Sequence, residues 1–309
     1  MFRPGEVWRD TDGEPIQAHG GGVLFHEGVY YWYGENKDAP NSGDGRVDVL
    51  GVSCYSSPDL TRWKNEGVAL PAVPDDPAHD LHPSRVAERP KVLYNARTGQ
   101  FVLWLQVDSP DYTYARTGRA VSDSPTGPFR YRGSIAPLGA DSRDMTVFQD
   151  TDGAAYLFFS SDWNKTLRIA RLSDDSLDTT AIAAEAFAGQ SREAPAVWTH
   201  GGRYYIVTSG CTGWAANEAQ YAVAPSPLGP WEARGNPCAG PGADTTFGAQ
   251  STFVLPVAGR PGAFVFLADR WNPAHLQDSR YVWLPLEMDG ERVTIRWRDA
   301  WDLSALGAG

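Results

Sequence analysis

Short apolar strands alternate with polar turns along most of the chain, and one arrangement of them occurs five times. Each copy begins with a polar residue, continues as an apolar strand, turns through Gly or Asp, and ends in a second strand rich in aromatic side chains. The strand pairs lie at 23–25 and 30–33, 91–94 and 101–104, 146–148 and 156–159, 196–198 and 204–207, and 253–255 and 264–267. Such copies, about 50 to 70 residues apart, are typical of propeller blades. The pattern predicts an all-β protein, a five-bladed β-propeller.

The remaining sequence fits the same architecture. In three copies a proline-containing turn precedes an aromatic residue, Trp63, Phe129 or Trp231, which we expect in the blade cores. Helical periodicity is nearly absent, and only 178–187 is expected to form a short helix. The copies extend over nearly the whole chain, so we expect residues 1–309 to form a single domain.

The residues just ahead of the first strands have a special position. If the first strand of each copy lies innermost, these residues converge at one end of the central channel. They are His19, Glu88, Asp144, Glu193 and Gln250. Three carboxyl groups, an imidazole and an amide around one axis predict a functional site. A structural ring of ion pairs that plugs the channel is the alternative interpretation.

Composition and charge exclude several classes of protein. The 309 residues are 42% hydrophobic and 21% charged, as in ordinary globular proteins, and closed β architectures reach this length as one domain. No apolar run approaches the length of a membrane span. A net charge of −11 without a basic cluster argues against nucleic acid as a partner. The first residues lack the apolar segment of a secretion signal, so we expect a cytoplasmic protein or one whose signal was removed.

Cysteine and histidine spacing specifies neither a disulfide framework nor a metal site. The chain has three cysteines, Cys54, Cys211 and Cys238. The odd count without a C-x-x-C pair argues against structural zinc, although pairing of Cys211 with Cys238 stays open. His79 and His82 lie in a proline-bounded loop without a third ligand nearby, so we expect a rim loop there. A Ca²⁺ or Na⁺ ion in the channel near His19 also stays open.

Two carboxyl groups occur in similar local sequences. Glu88 and Glu193 are each followed closely by a proline, Pro90 and Pro195, which interrupts strand pairing at that point. A carboxyl group held at a strand mouth beside other carboxylates has a raised pKa, as a general acid needs near neutral pH. Asp144 supplies a third carboxylate. This combination favours acid–base chemistry.

Aromatic residues near the predicted rim indicate the class of substrate. Trp214 and Trp271 each follow the second strand of a copy, where they would reach the channel mouth. Sugar rings stack on flat aromatic side chains, while their hydroxyls bind carboxylates and guanidinium groups. These two tryptophans and Arg270 are therefore candidate carbohydrate contacts. Most of the 12 Trp and 13 Tyr are expected in the blade cores.

Taken together, the motifs resemble glycoside hydrolase family 43, and within it the exo-β-1,3-galactanases and the related arabinogalactan side-chain furanosidases. The matching segments are His19-Gly-Gly-Gly22, Glu88-Arg-Pro-Lys-Val92, Asp141-Ser-Arg-Asp144, Glu193-Ala-Pro195, Ser209-Gly-Cys-Thr-Gly-Trp214, Gln250-Ser-Thr252 and Asp269-Arg-Trp271. The resemblance covers nearly the whole chain. It implies a five-bladed propeller, hydrolysis with inversion of the anomeric configuration, and no organic cofactor.

The resemblance also implies catalytic roles. Glu193 matches the general acid, and Asp144 matches the carboxylate that orients the acid and tunes its pKa. Most of the family has an aspartate base ahead of the first blade, and this chain lacks it. The resemblance makes Gln250 a candidate for holding the attacking water and Glu88 the other candidate base. A neutral amide has little basicity, so the choice stays open.

The leading hypothesis is an exo-acting glycoside hydrolase that releases terminal galactose from β-1,3-galactan, with an oligo- or polysaccharide as its partner. Candidate substrate contacts are Gln17, His19, Tyr33, Glu35, Thr212, Trp214, Arg270 and Trp271. A loop at 36–46 is long enough to cap one side of the site. The alternatives are an α-L-arabinofuranosidase or β-D-galactofuranosidase, a carbohydrate-binding propeller without catalysis, and a protein scaffold.

Overall fold

Five sheets are arranged around a central channel. A computed structural model describes residues 1–43 and 45–306 of the chain. The first blade contains β1 (His19–His26), β2 (Val29–Glu35), β3 (Gly51–Ser57) and β4 (Lys64–Pro71). The second contains β5 (Val86–Asn95), β6 (Gln100–Asp108), β7 (Arg116–Ser122) and β8 (Arg130–Ile135). The third contains β9 (Met145–Gln149), β10 (Ala155–Ser161), β11 (Thr166–Leu172) and β12 (Thr179–Ala186).

The last two blades complete the ring. The fourth contains β13 (Arg192–His200), β14 (Arg203–Gly210), β15 (Gln220–Ala224) and β16 (Glu232–Gly235). The fifth contains the short β17 (Cys238–Ala239), β18 (Gln250–Pro256), β19 (Phe264–Arg270), β20 (Arg280–Asp289) and β21 (Arg292–Arg296). Short 3-10 helices in the described residues lie at Pro137–Gly139, Ala243–Gly248, Leu276–Asp278 and Leu303–Ala305. None of these helices has the length and apolarity that crossing a membrane requires.

The predicted five-bladed propeller is confirmed. Strands β1, β5, β9, β13 and β18 contact one another in a closed ring, so the first strand of each copy lines the channel. Each pairs antiparallel with the second strand of its copy. The expected helix at 178–187 is wrong, because 179–186 pairs with β11 as the outermost strand of the third blade. Pairing with a neighbouring strand outweighs the helix propensity of this alanine-rich stretch.

Aromatic side chains join the first and last blades. Trp32 of the first blade and Trp283 of the fifth have ring centroids 4.7 Å apart, and buried Trp63 packs on both. Near the chain ends, Phe2 stacks on Trp301 at 4.3 Å and also pairs with it through a backbone bridge. Apolar burial across this junction holds the ring closed.

The innermost strands share an irregularity that positions the site. Four of them, within the described residues, have a register shift beside the residues that the sequence places at the channel mouth. Two of these bulges contain Pro90 and Pro195, and the residues before the prolines, Arg89 and Ala194, have left-handed φ values of 57° and 52°. A bulge bends the strand and redirects side chains. The carboxyl–proline motifs therefore turn polar side chains towards the channel mouth.

Candidate active site

The channel mouth contains a cavity of about 570 Å³ where polar groups from different blades meet. Its lining includes Glu35, Glu88, Arg89, Asp144, Asn164, Glu193, Trp214, Gln250 and Trp271. Four of the five residues that the sequence pattern assigned to the channel mouth are therefore brought together, namely Glu88, Asp144, Glu193 and Gln250. The fifth, His19, does not line this cavity.

A second cavity lies elsewhere along the innermost strands. It has a volume of about 1080 Å³ and is lined mainly by backbone and apolar side chains, among them Val23, Phe148, Trp198 and Phe253. None of the four convergent residues lines this larger cavity. Size therefore does not identify the reactive site, because acid–base chemistry needs the carboxyl groups of the smaller cavity.

Arg89 is the central cation of the site. Its Nε and Nη2 atoms lie 3.2 and 3.0 Å from the two carboxylate oxygens of Asp144. Nη2 also donates to Gln250 Oε1 at 2.5 Å, and Nη1 donates to the carbonyl of Ser251 at 3.0 Å. Its backbone N–H donates to Glu35 Oε1 at 3.0 Å. Because Arg89 is buried and bidentate, it fixes the orientation of both Asp144 and Gln250.

Glu193 has the surroundings of a general acid. Asn164 Nδ2 donates to its Oε2 at 3.0 Å, and Gln250 Nε2 donates to its Oε1 at 3.0 Å. The next residue, Ala194, donates its N–H to Asp144 at 3.0 Å, which keeps that carboxylate close. Burial, followed by the negative charge of Asp144, raises the pKa of Glu193 to about 7. The group can therefore carry a proton near neutral pH.

Glu88 is a second carboxyl group with a raised pKa. The hydroxyl of Tyr112 donates to its Oε1 at 3.0 Å. Burial, followed by the charge of Glu35, raises the pKa of Glu88 to about 7, and the ammonium group of Lys37 opposes this rise. Lys37 Nζ itself lies 2.8 Å from Glu35 Oε2. Glu88 can therefore accept a proton near neutral pH more readily than an ordinary carboxylate.

The amide of Gln250 is held by four hydrogen bonds. Its oxygen accepts from Arg89 at 2.5 Å and from the indole N–H of Trp271 at 3.1 Å. Its nitrogen donates to Glu193 and to Ser209 Oγ, both at 3.0 Å. Arg89 and Trp271 can only donate, which fixes the amide orientation. Both lone pairs of the oxygen and both hydrogens of the nitrogen are used.

A buried ammonium group lies beneath the site. Lys91 Nζ donates to the carbonyls of Gly20 at 2.8 Å and Arg89 at 3.3 Å. Burial, followed by the charge of Arg89, lowers the pKa of Lys91 to about 7. Among the described residues, no group of three or more His, Cys, Asp or Glu side chains is placed to hold a metal ion. Hydrogen bonds from Lys91 instead tie together two of the innermost strands at this level.

Two tryptophans form an aromatic wall. Trp214 and Trp271 both line the cavity, with ring centroids 5.6 Å apart and planes at 68°. Trp214 is 41% exposed, while the hydrogen bond to Gln250 fixes Trp271. The exposed ring of Trp214 and the fixed ring of Trp271 together offer an aromatic surface on which the apolar face of a sugar ring can stack. Of the substrate contacts predicted from the sequence, Glu35, Trp214 and Trp271 lie on the cavity wall.

The expectation that His19 lines the pocket needs correction. Its side chain is fully buried and stacks on Tyr281 with centroids 4.8 Å apart. Its Nδ1 lies 3.5 Å from Asp269, whose other carboxylate oxygen accepts the N–H of Gly20 at 2.6 Å. A side chain at position 20 would meet Glu35, since an added Cβ would lie 2.1 Å from Glu35 Oε1. His19 and Gly20 therefore pack beneath the site and do not contact the cavity.

Four further candidate contacts also lie off the cavity wall: Gln17, Tyr33, Thr212 and Arg270. Gln17 and Tyr33 are buried, and their side chains donate to backbone carbonyls at 3.0 and 2.6 Å. Thr212 donates to a carbonyl of its own loop at 2.5 Å. Arg270 donates to a backbone carbonyl at 2.7 Å and stacks on Trp297. Sequence position alone could not reveal these competing partners.

The loop at 36–46 borders the cavity as expected, because Gly45 and Arg46 belong to its lining. Asp44, within this loop, lies outside the described residues, as does 307–309 of the expected single domain. The loop therefore contributes to one side of the cavity wall.

Among the described residues the cysteines form no disulfide, and the paired histidines belong to no group of three or more His, Cys, Asp or Glu side chains that could hold a metal ion. Cys54, Cys211 and Cys238 are free thiols, so the pairing of Cys211 with Cys238 is not formed. His79 accepts a backbone N–H of its own loop at 3.0 Å, and His82 hydrogen-bonds to a serine hydroxyl at 2.8 Å. One nitrogen of each histidine ring is therefore used within the loop itself.

The sequence patterns missed several residues of the site. Lys37, Tyr112 and Asn164 bind the carboxyl groups, and each follows the second strand of its blade. The same position singled out Trp214 and Trp271 as rim residues. Applied to every blade, that rule would have found these polar groups as well.

The comparisons with known proteins agree with this geometry. Residues 23–268 match the family described as glycosyl hydrolases family 43. The chain belongs to glycosyl hydrolase family 43. The resemblance stated from the sequence motifs is thereby confirmed.

Several solved structures and a curated relative are similar to the chain. A family 43 β-1,3-galactosidase solved with galactodeoxynojirimycin is 43% identical, with a TM-score of 0.92 over 98% of this chain and 100% of its own. An exo-β-1,3-galactanase of Phanerochaete chrysosporium solved with β-1,3-galactotriose is 34% identical, with a TM-score of 0.90 over 100% of this chain and 69% of its own. The β-D-galactofuranosidase of Aspergillus niger is 26% identical over 57% of this chain and 54% of its own length. The chain thus spans about half the length of this curated relative.

The pH dependence of this family 43 enzyme should reflect both carboxyl groups. If Glu193, with a pKa of about 7, is the general acid, it loses its proton as the pH rises through that value, and the enzyme then loses activity. A base with a pKa of about 7 becomes inactive as the pH falls through it. We expect a narrow bell-shaped profile of kcat/KM centred near pH 7.

Asp144→Asn should move one side of this profile. The charge of Asp144 raises the pKa of Glu193, so its removal lowers that pKa and shifts the alkaline limb to lower pH, by about one pH unit. Asp150→Asn is the matched control, because Asp150 lines the second cavity. An alkaline limb that stays in place in Asp144→Asn would contradict the electrostatic role.

Proposed function

We propose that the chain is an inverting exo-glycoside hydrolase that releases terminal galactose from β-1,3-galactan of the arabinogalactan type. The observation that carries the proposal is a dead-end cavity with two carboxyl groups, Glu88 and Glu193, whose pKa values are both about 7. The 43% identical relative, a β-1,3-galactosidase, supports the choice of sugar and linkage.

The floor of the cavity supports exo action. Buried Arg89 and Lys91 occupy the channel where the innermost strands converge, and hydrogen bonds hold both. A polysaccharide cannot thread through a channel closed in this way. The substrate therefore enters this cavity from the rim, and we infer that its terminal unit occupies the closed end, as exo action requires.

In the proposed reaction, Glu193 donates its proton to the glycosidic oxygen as the bond from that oxygen to the anomeric carbon breaks. Glu88 removes a proton from water, whose oxygen forms the new bond to the anomeric carbon from the opposite face. The products are the shortened saccharide and galactose of inverted configuration. The proton that Glu193 loses equals the proton that Glu88 gains, and exchange with solvent restores both groups.

The distance requirement argues against Gln250 as the base, and this leaves Glu88 as the candidate. Inverting enzymes separate acid and base by roughly 6.5–9.5 Å to leave room for the sugar and the water. Gln250 Nε2 lies only 3.0 Å from Glu193 Oε1, on the side of the acid. The Gln250 oxygen also accepts two hydrogen bonds, which lowers its basicity. We therefore assign Gln250 to positioning Glu193.

The curated relative from Aspergillus niger, a β-D-galactofuranosidase at 26% identity, favours a furanosidase as the second candidate. Product analysis separates the two. We expect galactose from β-1,3-galactan and no release from arabinofuranosyl or galactofuranosyl glycosides. Furanose release with no action on the galactan would contradict the proposal and favour the second candidate.

A further inference from the structure

A turn beside the general acid carries an exposed tryptophan that the proposed reaction does not use. Trp163 lies between β10 and β11 and is 63% exposed. The guanidinium of Arg143 lies 4.2 Å from the centre of its indole ring. Arg143 is itself part of the cavity lining and donates to the carbonyl of Tyr112 at 3.0 Å. The ring is therefore held at the rim with a wide area of its surface open to solvent.

The backbone of this turn has an uncommon conformation. Asp162, Trp163 and Asn164 all have left-handed φ values, of 53°, 57° and 60°. Side-chain-bearing residues seldom adopt this conformation even singly. Asp141 fixes the turn by accepting the N–H groups of Asp162 and Trp163 at 2.9 and 3.1 Å, and it forms an ion pair with Arg143. Strain that is held by several contacts in this way is typical of functional sites.

The turn lies on the leaving-group side of the proposed reaction. Asn164, the next residue, donates to Glu193 Oε2 at 3.0 Å. A general acid lies next to the oxygen that it protonates, which belongs to the leaving saccharide. The cavity lining includes Asn164 and Arg143 but not Trp163. Trp163 therefore lies just outside the cavity wall, next to the residue that hydrogen-bonds to Glu193.

We propose that Trp163 is the stacking platform for the sugar unit on the leaving-group side of the scissile bond. The inference rests on the proposed function and extends it to a substrate preference. A pyranose ring presents an apolar C–H face that stacks on indole, whereas a small alkyl leaving group presents none. Trp163 therefore favours substrates whose second unit is a pyranose. The second sugar ring stacks on Trp163 equally well in the ground state and the transition state, so this contact contributes to binding and not to the chemical step.

Kinetics on two substrates test this platform. For Trp163→Ala we expect KM for β-1,3-galactobiose to rise about tenfold with kcat changed less than threefold, as for the loss of uniform binding. Methyl β-D-galactopyranoside needs the same acid catalysis but has no second ring, so its kcat/KM should stay within about twofold. Trp163→Phe, which keeps an aromatic face, should restore most of the affinity for the disaccharide.

Two controls complete the test. Ile182→Ala removes another exposed apolar side chain, on β12 of the same blade. This variant should leave kcat and KM unchanged for both substrates. An equal loss on both substrates would show that Trp163 acts through Glu193, and no loss on either would show that it does not contact the substrate. Both results would overturn the inference. If the unaltered enzyme fails to hydrolyse galactobiose, the proposed function itself is wrong.

Discussion

Glu193→Gln is expected to slow the hydrolysis of β-1,3-galactan about 10³-fold, within the 10²–10⁴-fold range of general acid catalysis. Glutamine keeps the size of the side chain and can still contact Asn164, but it has no acidic proton to transfer to the leaving oxygen. Initial rates of galactose release measure the effect. The alkaline limb of the pH profile should also disappear, because the pKa of Glu193 sets it.

The leaving group separates acid catalysis from structural damage. A 2,4-dinitrophenyl β-galactoside needs little protonation, so Glu193→Gln should retain its activity on this substrate within about tenfold. Glu185→Gln is the control, since Glu185 is an exposed residue of β12. An equally large loss on the activated and the natural substrate would contradict the assignment of Glu193 as the acid.

Glu88→Ala is the second change with a large expected effect. We expect a fall in kcat of about 10²–10⁴-fold on all substrates, because no group then removes the proton from the attacking water. Azide needs no deprotonation and fits the space of the missing carboxyl group. Sodium azide with the dinitrophenyl galactoside should therefore restore turnover and give α-galactosyl azide, whose configuration NMR can establish.

Gln250→Ala tests the competing assignment. If Gln250 only positions Glu193, this variant should lose activity mainly with poor leaving groups and should gain nothing from azide. Its profile should also show an altered alkaline limb, since the amide donates to Glu193 at 3.0 Å. Azide rescue of Gln250→Ala, with none for Glu88→Ala, would identify Gln250 as the residue that serves the water.

Most of the fold could be predicted because each blade repeats the same local pattern. Strand pairs such as 196–198 with 204–207 are separated by only a few residues in the sequence, so their pairing needs no long-range information. The channel-mouth carboxyls Glu88 and Glu193 follow from that repeat. The stretch 179–186 could not be assigned locally, because its strand conformation depends on pairing with β11.

The details of the site were less predictable. Arg89 would point away from Glu88 in a regular strand, and only the bulge with its left-handed φ brings both to the cavity. His19 occupies the equivalent position in the first blade, yet burial against Tyr281 and Asp269 removes it from the cavity. Partners of this kind come from distant parts of the chain, so their contacts depend on how the blades pack.

The two-carboxyl mechanism is tested most directly by the configuration of the first product. ¹H NMR spectra recorded during the first minutes of β-1,3-galactobiose hydrolysis can separate newly released galactose from its later equilibrium mixture. With Glu193 as acid and Glu88 delivering water to the opposite face, α-galactose should appear first from the non-reducing unit. Initial release of β-galactose, or no hydrolysis of this substrate, would contradict the account.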